Sequence, residues 1–376
     1  KNWIPACAGM TNGLLAAAHY LRYGEHMNRM QPLPAHTRAI AGWLMACLAL
    51  VALMVFVGGV TRLTESGLSI VEWKLFSGTL PPMSDAAWQA EFDEYKQSPQ
   101  FEQVNAHFTL SDFKGIFWLE YLHRLLGRII GLAVLLPLIY FAARRMLPRP
   151  LFWRCVGIGT LVAAQGTVGW VMVASGLNDQ PRVAPIKLAS HLLLAFGVFC
   201  LILWTRWQVL GIARTHVSAP LARGARIVMA LLLIQIFFGA LVAGLRAGLA
   251  YNTYPLMDGQ WIPEGLYSMS PWWLNHLESV LTVQFQHRMG AMVVVAATLW
   301  LCISSWRHAH LQPTVKAIMV IVIVQFILGV ATLLSVLNIS LASLHQLLAL
   351  VLLAHVLWLI FLTPGARNQH STQMKH

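Results

Sequence analysis

Charge is scarce in this chain. Of its 376 residues only 11% are Asp, Glu, Lys or Arg and just 14 are acidic, whereas 57% are hydrophobic. A soluble domain carries roughly a quarter charged residues, so that class is excluded. Cysteine is sparse too. Of the five present, Cys47, Cys155, Cys200 and Cys302 lie within or beside apolar runs, which leaves no pair for a disulfide across the exposed loops. The opening residues also lack the cleavage pattern of a secretory signal. Residues 1–30 mix Gly, Pro, Asn and scattered charge, open on Lys1, and read as a disordered tail or a misplaced start, with Met10, Met27 and Met30 as alternative starts.

Long apolar runs fill the space that charge leaves. Mean hydropathy is +0.63, and eight runs are long enough to cross a hydrocarbon layer of about 30 Å at about 1.5 Å per residue. The runs cover 38–60, 115–143, 152–176, 186–207, 223–246, 280–305, 314–337 and 340–363. The expected fold is an all-α integral membrane protein, its eight transmembrane helices arranged as two pseudo-symmetric four-helix bundles.

The net charge of +12 would suit nucleic acid, but the basic residues are distributed by membrane side instead of forming one patch. Loops 144–154 and 206–226 hold Arg144, Arg145, Arg149, Arg154, Arg206, Arg214, Arg223 and Arg226 with no acid. Those loops, and with them both termini, are placed on the cytoplasmic or matrix side. Of the acids only Glu25 falls there, while Glu65, Glu72, Asp85, Glu91, Asp93, Glu94, Glu102 and Asp112 crowd the outer loop 61–114. That loop is longer than a simple connector and rich in aromatic residues; it fits short amphipathic helices over the first bundle, or a plain lid.

The chain also repeats itself. Phe56-Val57-Gly58-Gly59 and Gly67-Leu68 are answered by Phe238-Gly239-Ala240 and Gly248-Leu249, and Glu120-Tyr121-Leu122-His123-Arg124 by Gln284-Phe285-Gln286-His287-Arg288. Gln165 with Gly169 is answered by Gln325 with Gly329, and the run 189–194 by 343–348. Such matching argues for duplication. The organisation is then a tail 1–37, a bundle 38–210, an inner linker 211–222, a second bundle 223–363 and a tail 364–376. Both halves start inside, so they are parallel repeats about an axis near the membrane normal.

Histidines are the chemistry that the repeat carries. His123, His191, His287 and His345 each sit near the outer ends of even-numbered helices, about five to eight residues in. In a square bundle the even helices occupy diagonal corners, so His123 faces His191 and His287 faces His345. Histidine in hydrocarbon is costly and marks a cofactor, a proton path or a strong hydrogen bond. Each one alone could simply bond a backbone carbonyl. Two per repeat at matching depth point instead to two bis-imidazole haem sites. His355 lies deeper without a counterpart and reads as a packing or hydrogen-bonded residue; His36, His216, His308 and His310 belong to the inner face and read as solvated.

One difference separates the halves. Glu120 stands three residues before His123, where the second half has Gln284. A carboxylate can move protons or stabilise a developing cation, which an amide cannot. The first half is therefore the candidate for chemistry and the second for a structural or electron-transferring haem. The plainer account pairs Glu120 with Arg124 one turn on. Arg124, Arg128 and Arg288 either snorkel to the surface or bond haem propionates.

These residues resemble a haem A synthase, the membrane enzyme family that oxidises a methyl group of haem O to a formyl group. The likeness covers about residues 38–363 and is to the alphaproteobacterial and mitochondrial form. It rests on 58–64 (GGVTRLT), Ser66-Gly67-Leu68-Ser69, Trp73, Pro81-Pro82 and Phe113-Lys114, together with the Glu120–Arg124 run. Further matches are Leu177-Asn178-Asp179, Pro181-Arg182-Val183, 251–257 (YNTYPLM) and the Gln284–Arg288 run. The resemblance implies that Glu120 is the catalytic glutamate, that His123 and His191, with Arg124, handle substrate haem, and that His287 and His345, with Arg288, bind a haem b. All four histidines would be iron ligands. The family's other branch carries outer-loop cysteine pairs implicated in redox handling; this chain has none, so no thiol step is carried over. Implied partners are haem O, haem O synthase, oxidase assembly factors and a second copy of the chain. The implied location is a bacterial inner membrane, a mitochondrial one fitting less well for want of an Arg-rich transit pattern.

Two routes to the formyl group fit the residues. One removes electrons from the methyl to a carbocation-like species captured by water, and the other uses iron-bound oxygen. Two other classes use the same histidines: a dihaem cytochrome b that only passes electrons, and a haem carrier. Neither explains a carboxylate confined to one half.

Overall fold

The computed structural model describes residues 33–73, 77–178, 180–215 and 217–364; the readings for tail residues 1–32, for Asp179 and for His216 lie outside them. Eight helices are long and apolar enough to cross a membrane. We label them α1 (Ala35–Leu63), α2 (Leu110–Ala143), α3 (Arg149–Ala174), α4 (Pro185–Val209), α5 (Ala219–Gly244), α6 (Val280–Ser305), α7 (Gln312–Leu334) and α8 (Ile339–Leu362). No β-strand occurs among the described residues.

Their ends follow local chemistry. Proline stands in the first turn of α3, α4, α5 and α7, where its missing N–H costs no helical bond. Thr109 and Asp112 form a capping box that starts α2 at Leu110, five residues earlier than the hydropathy boundary. The expectation that all four histidines lie five to eight residues into their helices is thereby corrected for His123, which is thirteen residues past Leu110. The early start makes α2 34 residues long, or about 51 Å at ~1.5 Å per residue, so its first turns project beyond the hydrocarbon.

On those turns sits the long connection. A helix, Asp85–Tyr95, is capped by Ser84 and packs Trp88, Phe92 and Tyr95 against Phe113, Phe117 and Tyr121 of α2. The connecting segment spans 64–109, narrower than the expected 61–114 because α1 and α2 each extend into it.

Within the membrane, contacts run α1 to α2, α2 to α3, α3 to α4 and back from α4 to α1. A second circuit runs α5, α6, α7, α8 and back to α5. The circuits join through α4 with α5 and through α8 with α1 and α4. One continuous apolar core, from Leu44 and Val51 through Ile202 to Leu353 and Val356, fills both. Side chains such as Leu132, Leu136, Ile323 and Ile327 face outward and are exposed, a surface that only lipid would cover at low cost.

Two faces result. Leu68 packs on Gly176 and Leu337 on Gly248, and Arg246 is ion-paired with Glu65, so the four connections 64–109, 175–184, 245–279 and 335–338 meet on one face. On the arginine-rich face Thr215 N donates to Leu362 O at 2.8 Å and Arg226 to Pro364 O at 3.2 Å. There Trp207 packs against Trp358 and Phe361.

Candidate functional site

The four histidines share one local construction. A Cβ added at Gly58, Gly169 or Gly239 would lie 2.9 Å from Cε1 of His123, His191 or His287, and at Gly329 2.7 Å from Cε1 of His345. Each imidazole therefore lies edge-on against the bare backbone of the helix that precedes its own. Any side chain there would push the ring aside. The equivalence places the four rings at one register in their helix pairs, although α2 itself starts earlier.

Glutamine secures three of them. Gln165 Nε2 donates to His191 O at 2.9 Å and stands 3.2 Å from Nδ1; Gln235 Nε2 does the same to His287 at 2.9 and 3.0 Å. Gln325 Nε2 donates to His345 O at 3.0 Å and lies 3.4 Å from Nε2 of the ring. At the fourth place α1 has Met54, and Nδ1 of His123 is buried with no partner among the described residues.

His123 and His191 line one chamber of about 420 Å³, with Glu120, Arg124 and Trp73 toward its mouth. That size lies in the range of small-molecule sites. Glu120 is 3% exposed. Its Oε2 accepts from Ser69 Oγ at 2.7 Å and from Ile70 N at 2.9 Å, and its Oε1 accepts from Arg124 Nε at 3.0 Å and Nη2 at 2.6 Å. The pairing of Glu120 with Arg124 is thus present. Arg124 also donates to Ile70 O at 2.8 Å and Glu72 O at 3.1 Å, and its guanidinium lies 5.3 Å from the Trp73 ring centre.

The second half repeats this clasp without the acid. Gln284 Nε2 donates to Tyr251 O at 2.6 Å, while Arg288 donates to Tyr251 O at 2.9 Å and Thr253 O at 2.7 Å. In both halves, then, the arginine after the histidine ties the connecting segment down by its carbonyls. His355 Nδ1 stands 2.8 Å from Val351 O, one turn back on α8. Cys47, Cys155, Cys200 and Cys302 are free thiols inside the helices.

Several residues of the chamber carried no assigned role in the sequence. Arg62, Arg182 and Arg246 bring cationic groups to its rim from α1, from the α3–α4 connection and from the end of α5. Arg62 donates to Ala243 O and to Gly244 O, the latter at 3.4 Å. Gln346, beside His345, reaches the other way, donating to Val55 O at 2.7 Å, and it also lines the first-half chamber. Arginines lining an apolar chamber would have been the available signal, yet they converge from positions as far apart as Arg62 and Arg246.

Two imidazoles complete a coordination sphere only for a ligand that brings its own further donors, and a porphyrin is such a ligand. Rings pressed on bare glycine backbone, an apolar chamber and a cationic rim fit it. The molecule defined by these features is a multi-pass helical membrane protein with an imidazole- and carboxylate-lined chamber at one face.

Comparison with known proteins narrows this class. Residues 41–357 match the family model described as cytochrome oxidase assembly protein. The chain is similar to the haem A synthase of Bradyrhizobium sp. (strain ORS 278), 47% identical over 330 residues that cover 86% of this chain and 90% of the relative. The haem A synthase of Parvibaculum lavamentivorans is 44% identical over 88% of this chain and 96% of its own. That of Nitrosospira multiformis is 44% identical over 85% and 92%. The chain belongs to the haem A synthase family. The dihaem cytochrome b alternative finds no support in these relatives.

Proposed function

We propose that this protein is a haem A synthase: an oxidoreductase that converts the C8 methyl of haem O to a formyl group, giving haem A for terminal oxidases. The two contact circuits are read as pseudo-symmetric bundles. In the first, His123 and His191 would hold the substrate; in the second, His287 and His345 would hold a haem b. That haem would supply structural rigidity or an electron path.

The observation that carries the assignment is Glu120, fixed by four donors on the wall of the chamber that both first-half histidines line. Turning a methyl into a formyl group removes four electrons and four protons and adds one water, so positive charge and protons must be handled beside the ring. A carboxylate already oriented by Ser69, Ile70 N and Arg124 offers fixed negative charge in a site of low dielectric, where such charge acts most strongly. Oε2 is the atom placed to take the proton, because the Ser69 hydroxyl bonded to it can turn and pass a proton onward. Arg124 orients the Glu120 carboxylate and, through Ile70 O and Glu72 O, ties the connecting segment over the chamber. The rim cations Arg62 and Arg182 suit porphyrin carboxylates, and Gln284 lacks the charge needed for the same chemistry in the second half.

By the positive-inside pattern both termini face the cytoplasm of a bacterial inner membrane and the chamber opens near the opposite surface. Haem O synthase, oxidase assembly factors and a second copy of the chain are the partners this role calls for. The test is Glu120→Gln. Mass analysis of extracted pigments should show bound haem with no formyl product; a normal haem A yield would remove Glu120 from the mechanism.

A further inference from the structure

The glutamine clamp and its one omission carry an inference that rests on the haem reading above. In α3, α5 and α7 a glutamine stands four residues before the glycine that receives the imidazole: Gln165 and Gly169, Gln235 and Gly239, Gln325 and Gly329. In α1 the same spacing from Gly58 leads to Met54. The methionine occupies the amide's place: it lines the chamber, and its Cε lies 3.5 Å from where a Cβ of Gly127, one turn beyond His123, would be.

We propose that Met54 is a positioning residue that leaves His123 unclamped, so that the first-half porphyrin is held by one fixed imidazole and one yielding one, and enters and leaves on the His123 side.

The physical reason lies in what holds the residue that carries the ring. In all three glutamines Nε2 donates to the histidine's own carbonyl at 2.9–3.0 Å, so the turn bearing the imidazole is tied to the preceding helix. A thioether has no N–H and makes no such bond. Nδ1 of His345 is also unpartnered, but Gln325 still grips that residue at its carbonyl and lies beside the ring. His123 has no glutamine at either point.

The distribution matches the work each half would do. A resident cofactor is best kept by two clamped ligands, as at His287 and His345. A porphyrin that is first substrate and then product must be let go, and one loosened ligand lowers the barrier to release. Met54 thus marks the turnover half independently of Glu120.

The test uses the full-length protein in detergent, loaded with ferric protoporphyrin IX and challenged with excess apomyoglobin. Wild type should lose one porphyrin faster than the other. Met54→Gln should slow the fast phase about tenfold, the scale of outer-partner effects on ligation, and shift the low-spin spectrum of that site; Met54→Leu should change neither. Gln235→Met makes the reverse change and should create a second fast phase. An unchanged fast phase in Met54→Gln at equal porphyrin content overturns the proposal. So does an unchanged slow phase in Gln235→Met, which decides the matter if Met54→Gln does not fold. If His123→Ala and His191→Ala leave the fast phase and porphyrin content as in wild type, the haem reading of the chamber falls and this inference with it.

Discussion

Replacing Gly169 by alanine tests the imidazole seat with a single methyl group. The new Cβ would stand 2.9 Å from Cε1 of His191, against about 3.5–4.0 Å for an ordinary carbon contact. The ring must therefore move by roughly 0.6–1 Å, while ligand geometry tolerates about 0.5 Å. Stability responds far less, because alanine inside a helix gains about 0.5–1 kcal/mol over glycine and offsets much of an overpacking cost of about 1–3 kcal/mol. The variant should fold, with a melting temperature within a few degrees of wild type, yet bind porphyrin in the first half at least about tenfold more weakly. The assay is porphyrin content per chain and the low-spin visible spectrum after purification. Gly157→Ala is the control, since a Cβ there meets nothing within 4 Å. A Gly169→Ala protein with wild-type content and spectrum would refute the idea that bare backbone seats a ligating ring.

Ser69→Ala removes one of the two donors on Glu120 Oε2. Hydrogen bonds to charged groups contribute about 1.5–3 kcal/mol, so formyl production should fall about 10- to 100-fold with porphyrin content unchanged; an unaltered rate would take Ser69 out of the proton path. Tyr95→Phe strips a buried hydroxyl that donates to Gln100 Oε1 at 3.1 Å and accepts from Asn105 Nδ2 at 2.8 Å. It should open the segment 85–105 to protease, at a cost of about 1–3 kcal/mol. Burial pushes the Tyr95 phenol up. Its neutral form is the bonded one, so in wild type this contribution is intact at neutral pH and is lost only as pH rises through the raised value.

The eight spans were legible because hydropathy over twenty residues is a one-dimensional property, and lipid allows few other solutions. Glu120 against Gln284 was equally visible, since the duplicated chain supplies its own alignment. Three features were hidden. The clasp of Arg124 and Arg288 on backbone carbonyls depends on where loops 70–72 and 251–256 run, and no side-chain pattern encodes that. The early start of α2 came from Thr109 and Asp112, a capping signal outside the apolar run. Gln235 went unnoticed because its counterpart in α1 is Met54, and a repeat read by identity passes over a position where the copies diverge.

Gln346 has a consequence for where this chain can be cut. It donates to Val55 O, and its amide packs where a Cβ on Gly59 would sit 3.0 Å away, so a residue from the last span completes the wall of a chamber built by the first five. A fragment stopping after α4 would keep His123, His191 and Glu120 yet leave that wall breached to lipid. The second copy, once fused and fitted to the first in this way, could not be shed by a later deletion without disabling its neighbour.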